Sequence, residues 1–278
     1  VAEKWLDRKL VSVAYRPRDL GPRYGYGRPP HARLLEILRG GEEAYRRNLE
    51  TIAGYREDLL RIAVQPSPEP IPTWINRWLL GLDSAAIYGL IRDRAPGAYV
   101  EIGSGMSTLF ARRAIVDGGL STRLTSIDPE PRREVEALCD RSVREPLESA
   151  DLSIFDELGA GDMVFMDGSH QVFTDSDATV FFLEVLPRLP SGVLVGVHDI
   201  LLPDDYLPEW TGYHWAEQYL LAAYLLGGGR GIELELACAY VTEYSDLHRV
   251  LDPVWRSAGL AGLDTRGFAL WFATTAEA

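Results

Sequence analysis

From Gly97 onward, short apolar runs alternate with stretches whose apolar side chains return every three or four positions. The runs lie at 98–102, 123–127, 163–166, 193–197, 232–242 and 268–274, with a weaker one at 142–145. Their length and saturation predict buried strands. The periodic stretches at 106–116, 132–139, 178–186, 215–226 and 246–255 predict helices between them. Strands alternating with helices imply right-handed crossovers and a mainly parallel sheet covered on both faces. The fold class is therefore α/β, doubly wound, with the last two strands able to pair antiparallel at one edge.

Before Gly97 the pattern is different. Residues 1–40 read as irregular, because "YRPRDLGPRYGYGRPPH" is too rich in proline and glycine for a regular element. Its Tyr15, Tyr24 and Tyr26 could cover a cleft as an ordered arm. Tyr45, Leu49, Ile52, Leu59 and Ala63 then predict a helix over 42–63, and "QPSPEPIPT" stops it. A second helix is predicted over 74–94, with Trp78, Leu82, Ala85 or Ala86 and Leu90 on one face and Pro96–Gly97 ending it. Two units follow: a mostly helical extension, 1–95, and an α/β domain, 96–278.

At 278 residues, 46% hydrophobic and 25% charged, the chain has an ordinary globular composition. No run approaches the roughly 18 apolar residues of a membrane helix, and the charged start, "VAEKWLDRKL", does not resemble a secretory signal. The net charge of −13 argues against nucleic acid or an anionic membrane as a partner. Cys139 and Cys238 have no metal or redox spacing, which suits reduced thiols and a cytoplasmic location. The apolar face of the 74–90 stretch could pack within the chain or in a homo-oligomer.

Chemistry-bearing residues gather where strands end. "AYVEIGSGMSTLFARRA" is a strand, a glycine-bearing turn and a helix whose free N–H groups face a ligand. It is not a dinucleotide fingerprint, since Thr108 stands where the third glycine belongs. Glu101, two residues before Gly103, would repel a pyrophosphate and suits a cofactor with a cationic portion. The next strand ends on Asp128, placed to bind ribose hydroxyls or to cap the following helix. "VFMDGSHQ" stops on Asp167 with His170 three residues on, and "GVLVGVHDI" stops on His198 and Asp199.

"VEIGSGMSTL" with "TSIDPEP" resembles the first two motifs of class I S-adenosylmethionine-dependent methyltransferases, whose fold is Rossmann-like. The strand-end segments are similar to a subgroup with D-G-x-H after the fourth strand and H-D after the fifth, among them small-molecule and sugar O-methyltransferases. The resemblance covers about 98–226. It implies a seven-stranded sheet of order 3-2-1-4-5-7-6 and S-adenosylmethionine as cofactor. The cofactor would be bound by Glu101, Gly103, Gly105, Ser107 and Asp128, with Leu147 and Glu148 near the adenine.

In that strand order Asp167 and Asp199 end neighbouring strands about 4.8 Å apart, where two carboxylates repel unless a cation intervenes. A divalent ion held by Asp167, His198 and Asp199 would resolve this, with His170 as general base beside Asp167. Metal-dependent relatives carry a carboxylate where this chain has His198. Magnesium prefers oxygen, so a nitrogen ligand favours manganese, iron or zinc. After Asp199, Tyr206, Trp210, Tyr213 and His214 read as a lid or acceptor wall, and Asp204, Asp205 and Glu209 could bind hydroxyls or amines.

The resulting expectation is methyl transfer to oxygen of a small hydroxylated acceptor, assisted by a metal such as Mg, Mn or Fe. Two alternatives stand beside it. One is a non-haem iron oxygenase using His170, His198 and Asp199 or Asp167. The other is a non-catalytic module that binds S-adenosylmethionine.

Overall fold

Seven strands form one sheet: β1 (Ala98–Ile102), β2 (Arg123–Ile127), β3 (Arg141–Val143), β4 (Met163–Met166), β5 (Leu194–Val197), β6 (Ile232–Ala237) and β7 (Leu270–Thr274). Their order is β3-β2-β1-β4-β5-β7-β6, as the motif resemblance implied. The computed structural model describes residues 21–131, 136–257, 259–260 and 262–276. β1 to β5 run parallel, and β7 lies antiparallel between β5 and β6. Every residue of β1, β4 and β5 is buried, which is why these strands read as continuous apolar runs and not as alternating ones.

Register carries the site. Ile102 of β1 lies opposite Met166 of β4, which lies opposite Val197 of β5. The ladder continues one residue further, since Asp167 N–H donates to Ile102 O and His198 N–H to Met166 O, both at 2.9 Å. Gly103, Asp167 and His198 therefore leave the sheet side by side at its carboxyl edge. β1 and β4 flank the point where the strand order reverses, the crevice in which open α/β sheets bind ligands.

Nine α-helices lie among the described residues: α1 (Ala32–Arg39), α2 (Glu42–Gly54), α3 (Arg56–Leu59), α4 (Gly81–Arg94), α5 (Met106–Gly118), α6 (Asp177–Val180), α7 (Glu217–Leu226), α8 (Cys238–Tyr244) and α9 (Asp252–Trp255). α4 is buried on all sides from Gly81 to Ile91, between α5 and α2. A side chain at Gly89 would collide with Ile52, so this glycine sets how closely α2 approaches. One hydrophobic core runs from Leu34 and Tyr45 through α4 into the sheet, across the 95/96 boundary expected from sequence.

Several expected elements differ. α1 was not expected within the irregular 1–40 stretch. His31 caps it, Nδ1 accepting from Leu34 N–H at 3.3 Å, in place of the usual Ser or Asp signal. The 42–63 helix breaks at Tyr55 into α2 and α3. The helix expected from 74 starts only at Gly81. Trp74 and Ile75 N–H groups pair with Ala63 and Val64 carbonyls, and Asn76 Oδ1 accepts from Trp78 and Leu79 N–H at 3.0 and 2.8 Å. The segment up to Leu80 is thereby held as a loop, and Trp78 is 57% exposed, not on a buried helix face.

The strand expected over 232–242 stops at Ala237 and continues as α8, because a short apolar run does not distinguish a strand from a buried helix. The 178–186 helix becomes α6, a π turn and a 3-10 turn containing Pro187. The 246–255 helix opens with a 3-10 turn before α9. Of the 132–139 helix, 132–135 lie outside the described residues and Glu136–Leu138 form a 3-10 turn. Among the described residues, no helix is long and apolar enough to cross a membrane.

Candidate active site

Three cavities meet at Asp167, two on the side of the glycine turn and one beyond it. The first, about 520 Å³, is walled by Gly103, Ser104, Asp128, Leu147, Glu148 and the 167–177 loop. A smaller one, about 90 Å³, lies between Trp78 and the Gly105–Ser107 turn and also reaches Asp167. Asp128 Oδ2 accepts from Ser104 Oγ at 2.6 Å and Oδ1 from Glu130 N–H at 2.8 Å, so it both braces its own turn and lines the cavity. Gly103 has φ +82°, and a Cβ there would collide with the Asp167 carbonyl oxygen. Glycine is needed at this position for two strand ends to come this close.

Glu101 lies behind this wall, fully buried. Thr108 Oγ accepts from Gly105 N–H at 3.0 Å and donates to Glu101 Oε2, while Oε1 has no hydrogen-bond partner. Thr108, in place of the third fingerprint glycine, thus ties the glycine turn to Glu101. Burial pushes the Glu101 carboxyl up to about 8, opposed by the nearby Ser107 and Thr108 hydroxyls and reinforced by Asp167 and Asp128.

At the junction Asp167, His170 and Asp199 converge, with one ligating atom from each lying within 4.8 Å of the others. His170 Nε2 is 3.6 Å from Asp167 Oδ1 and 3.4 Å from Asp199 Oδ2, and Nδ1 is 2.8 Å from Glu217 Oε2. His170 and Asp199 both have left-handed backbones, φ 59° and 54°, which turn their side chains back over the sheet edge. The 168–170 turn is held by Asp177, whose carboxylate accepts from Ser169 N–H and Oγ, both at 2.6 Å.

His198 approaches the same carboxylates, Nδ1 lying 3.2 Å from Asp167 and 3.6 Å from Asp199. Its Nε2 lies 3.4 Å from Asp83 Oδ2. Asp83, fully buried in the first turn of α4, accepts from Phe268 and Ala269 N–H and so fixes α4 to the start of β7 behind the site. Burial opposes charge on His170, but the hydrogen bond and charge of Glu217, with Asp199 and Asp167, outweigh it and push its pKa up to about 9. His198 is likewise raised, burial being overcome by Asp199 and Asp167. Burial raises the Asp199 carboxyl, the two histidines opposing it.

The third cavity, about 410 Å³, opens on the other side of Asp167. His170, His198 and Asp199 line it with Arg77, Trp78, Trp210, Tyr213, Trp215, Arg266 and Phe268. Trp215 organises the aromatic wall, 4.6 Å from the His170 ring, 5.2 Å from Trp210 and stacked 5.0 Å from Tyr213.

Of the residues expected from sequence, Gly103, Asp128, Leu147 and Glu148 line the larger cofactor-side cavity, and Gly105 and Ser107 the smaller. Glu101 is behind both. Asp167, His170, His198 and Asp199 meet as a group. Trp210 and Tyr213 form part of the aromatic wall, whereas Tyr206 is buried beneath it and His214 faces a neighbouring cavity. Asp204 and Asp205 are engaged by Tyr244 and by the arm at Arg23–Tyr24. Glu217, Asp83, Arg77 and Trp215 were missed. The first two looked like ordinary helix acids, and nothing local marked any of the four.

Residues 100–200 match the family model described as "Methyltransferase domain". Strand order and family match point the same way: the methyltransferase-domain model covers 100–200, inside a sheet of the order that the motif resemblance implied. No curated protein matches the sequence significantly. Solved structures with a similar fold include the methyltransferase PaMTH1 of Podospora anserina (14% identity over 69% of this chain and 78% of that one, TM-score 0.41). Others are an O-methyltransferase from Bacillus cereus (16%, 82% and 90%, TM-score 0.40) and the O-methyltransferase TomG from Streptomyces achromogenes (18%, 88% and 99%, TM-score 0.41). At these values the likeness decides nothing about chemistry.

Proposed function

We propose that the protein transfers a methyl group from S-adenosylmethionine to a hydroxyl oxygen of a small acceptor. The observation that carries this is the position of Asp167, which lines the glycine-walled cavity on one side and the aromatic cavity on the other. A cofactor with its ribose on Asp128 and its methionine end over the Gly103–Gly105 turn would point its methyl toward the junction. The aromatic cavity has the volume of a small-molecule site.

In this reading the neutral form of His170, which a pKa of about 9 makes the major form only at alkaline pH, takes the acceptor's hydroxyl proton at Nε2 while Glu217 on Nδ1 holds the ring in place. The oxygen attacks the sulfonium methyl in line: an O–C bond forms, the S–C bond breaks, and S-adenosylhomocysteine leaves. The donor set of Asp167, His170 and Asp199 also suits a divalent ion, with His198 at its margin; an ion on His170 Nε2 would take that nitrogen out of the base role. Bound there, such an ion would lower the pKa of an acceptor hydroxyl. The methyltransferase-domain match gives the iron-oxygenase alternative no support.

The test is calorimetric titration of S-adenosylmethionine into the protein, repeated with magnesium and manganese. Binding is expected, and Asp128→Ala should weaken it about 10- to 100-fold through loss of hydrogen bonds to a charged acceptor. No binding under any condition would end the methyl-transfer reading.

A further inference from the structure

The acceptor-side cavity carries a charge that methyl transfer to a hydroxyl does not itself require. Arg77 and Arg266 both line it. Arg266 is neutralised by Asp264, Nη2 to Oδ2 at 2.7 Å, and its guanidinium carbon lies 5.6 Å from the Phe268 ring centre. Arg77 has no such partner: it is exposed and makes no hydrogen bond or ion pair among the described residues. In a chain where 41 acidic residues face 28 basic ones, an arginine with no carboxylate partner stands out in a cavity wall that also carries Asp167 and Asp199.

The position is built. The loop bearing Arg77 is pinned on both sides, by Trp74 and Ile75 pairing with Ala63 and Val64 and by Asn76 capping Trp78 and Leu79. The side chain next to it, Trp78, lines the same cavity. Both histidines of the lining face carboxylates, whereas Arg77 faces none. A guanidinium left open beside indole rings suits a planar compound bearing a carboxylate or phosphate, which it can bind through two parallel N–H groups.

We propose that the acceptor is an anionic, flat-ringed hydroxyl compound. Arg77 holds its carboxylate or phosphate, and its ring lies against Trp78 and Trp215. The hydroxyl end of this proposal rests on the methyl-transfer reading; the anion preference does not and can be measured without turnover. Asp167 and Asp199 repel an anion, so Arg77 also fixes which end of the acceptor enters first.

The tryptophans of the cavity supply the readout. Intrinsic fluorescence is titrated with benzoate, phenyl phosphate, benzyl alcohol and inorganic phosphate, in wild type, Arg77→Gln, Arg77→Lys and Arg230→Gln. The last variant removes the same charge from an exposed site outside this cavity. Benzoate or phenyl phosphate should saturate at least tenfold below benzyl alcohol, and the tighter of the two identifies the anion. R77Q should erase most of that difference, R77K should keep part of it, and R230Q should leave it intact with a matching melting temperature.

Equal binding of benzyl alcohol, or anion binding untouched by R77Q, would overturn the proposal. Inorganic phosphate binding as tightly as phenyl phosphate would overturn the flat-ring part. Failure of S-adenosylmethionine to bind the wild type would sink the methyl-transfer reading while leaving the anion preference standing.

Discussion

The cofactor side and the acceptor side of Asp167 are made in different ways. The cofactor side comes from successive strand ends: the turns after β1 and β2, the short segment after β3, and the 167–177 loop after β4. Its walls are backbone, glycine and carboxylate, all placed by the register of parallel strands. The acceptor side draws Arg77 and Trp78 from the loop before α4, His170 from the end of β4, Trp210 and Trp215 from the segment before α7, and Arg266 and Phe268 from the approach to β7. A strand edge fixes one half, and the meeting of distant loops fixes the other. A local motif can announce the first kind of site but not the second.

His170→Ala should give the largest effect and separate the two halves. Loss of the base is expected to lower kcat about 10²- to 10⁴-fold, while S-adenosylmethionine affinity measured by calorimetry stays unchanged. A parallel loss of cofactor affinity would mean that the halves are not separable.

Gly103→Ala strikes the junction itself. The left-handed backbone and the collision with the Asp167 carbonyl should together cost about 2–5 kcal/mol in urea denaturation. A cost near zero would mean that β1 and β4 can part without consequence.

Glu101 tests the buried side of the cofactor half through pH. Its carboxyl is raised from 4.5 to about 8, so the folded protein holds a proton there that the unfolded chain has released. Its contribution to stability is full below the unfolded value and is lost as pH rises through about 8. Glu101→Gln should flatten that slope in denaturation curves. A cationic cofactor favours the ionised carboxylate, so its binding near neutral pH should release a proton. Calorimetry in buffers of different ionisation enthalpy would detect this, and E101Q should abolish it.

Trp78→Ala should be the mildest change. Trp78 is 57% exposed, so stability should move by about 0.5 kcal/mol or less. Acceptor KM should rise several-fold with kcat almost intact. An unchanged KM would remove Trp78 from the acceptor wall.

The strand-end residues were legible because each sits at the boundary between an apolar run and polar residues, a signal contained in a few consecutive positions. Asp167, His170, His198 and Asp199 met as expected for that reason. Glu217 and Asp83 were not legible, since each is a single acid in the first turn of a helix, where acids are ordinary. Their roles come from burial against a histidine 47 residues before Glu217 and 115 after Asp83. Trp78 misled in the opposite direction. Its spacing from Leu82 and Leu90 fits a helix face, but the pairing of Trp74 and Ile75 with Ala63 and Val64 and the capping by Asn76 hold it out of the helix.

The sequence by itself determined the alternation of strands and helices, the glycine turn, and the acids and histidines at the strand tips. Each of these is a short-range consequence of side-chain periodicity or backbone freedom. Only the tertiary structure decided that Glu217 rather than Asp167 holds Nδ1 of His170, that Thr108 ties the glycine turn to Glu101, and that Arg77 stands without a carboxylate in the aromatic wall. Those facts depend on which distant segments pack together, and packing is set by the whole core rather than by any local pattern.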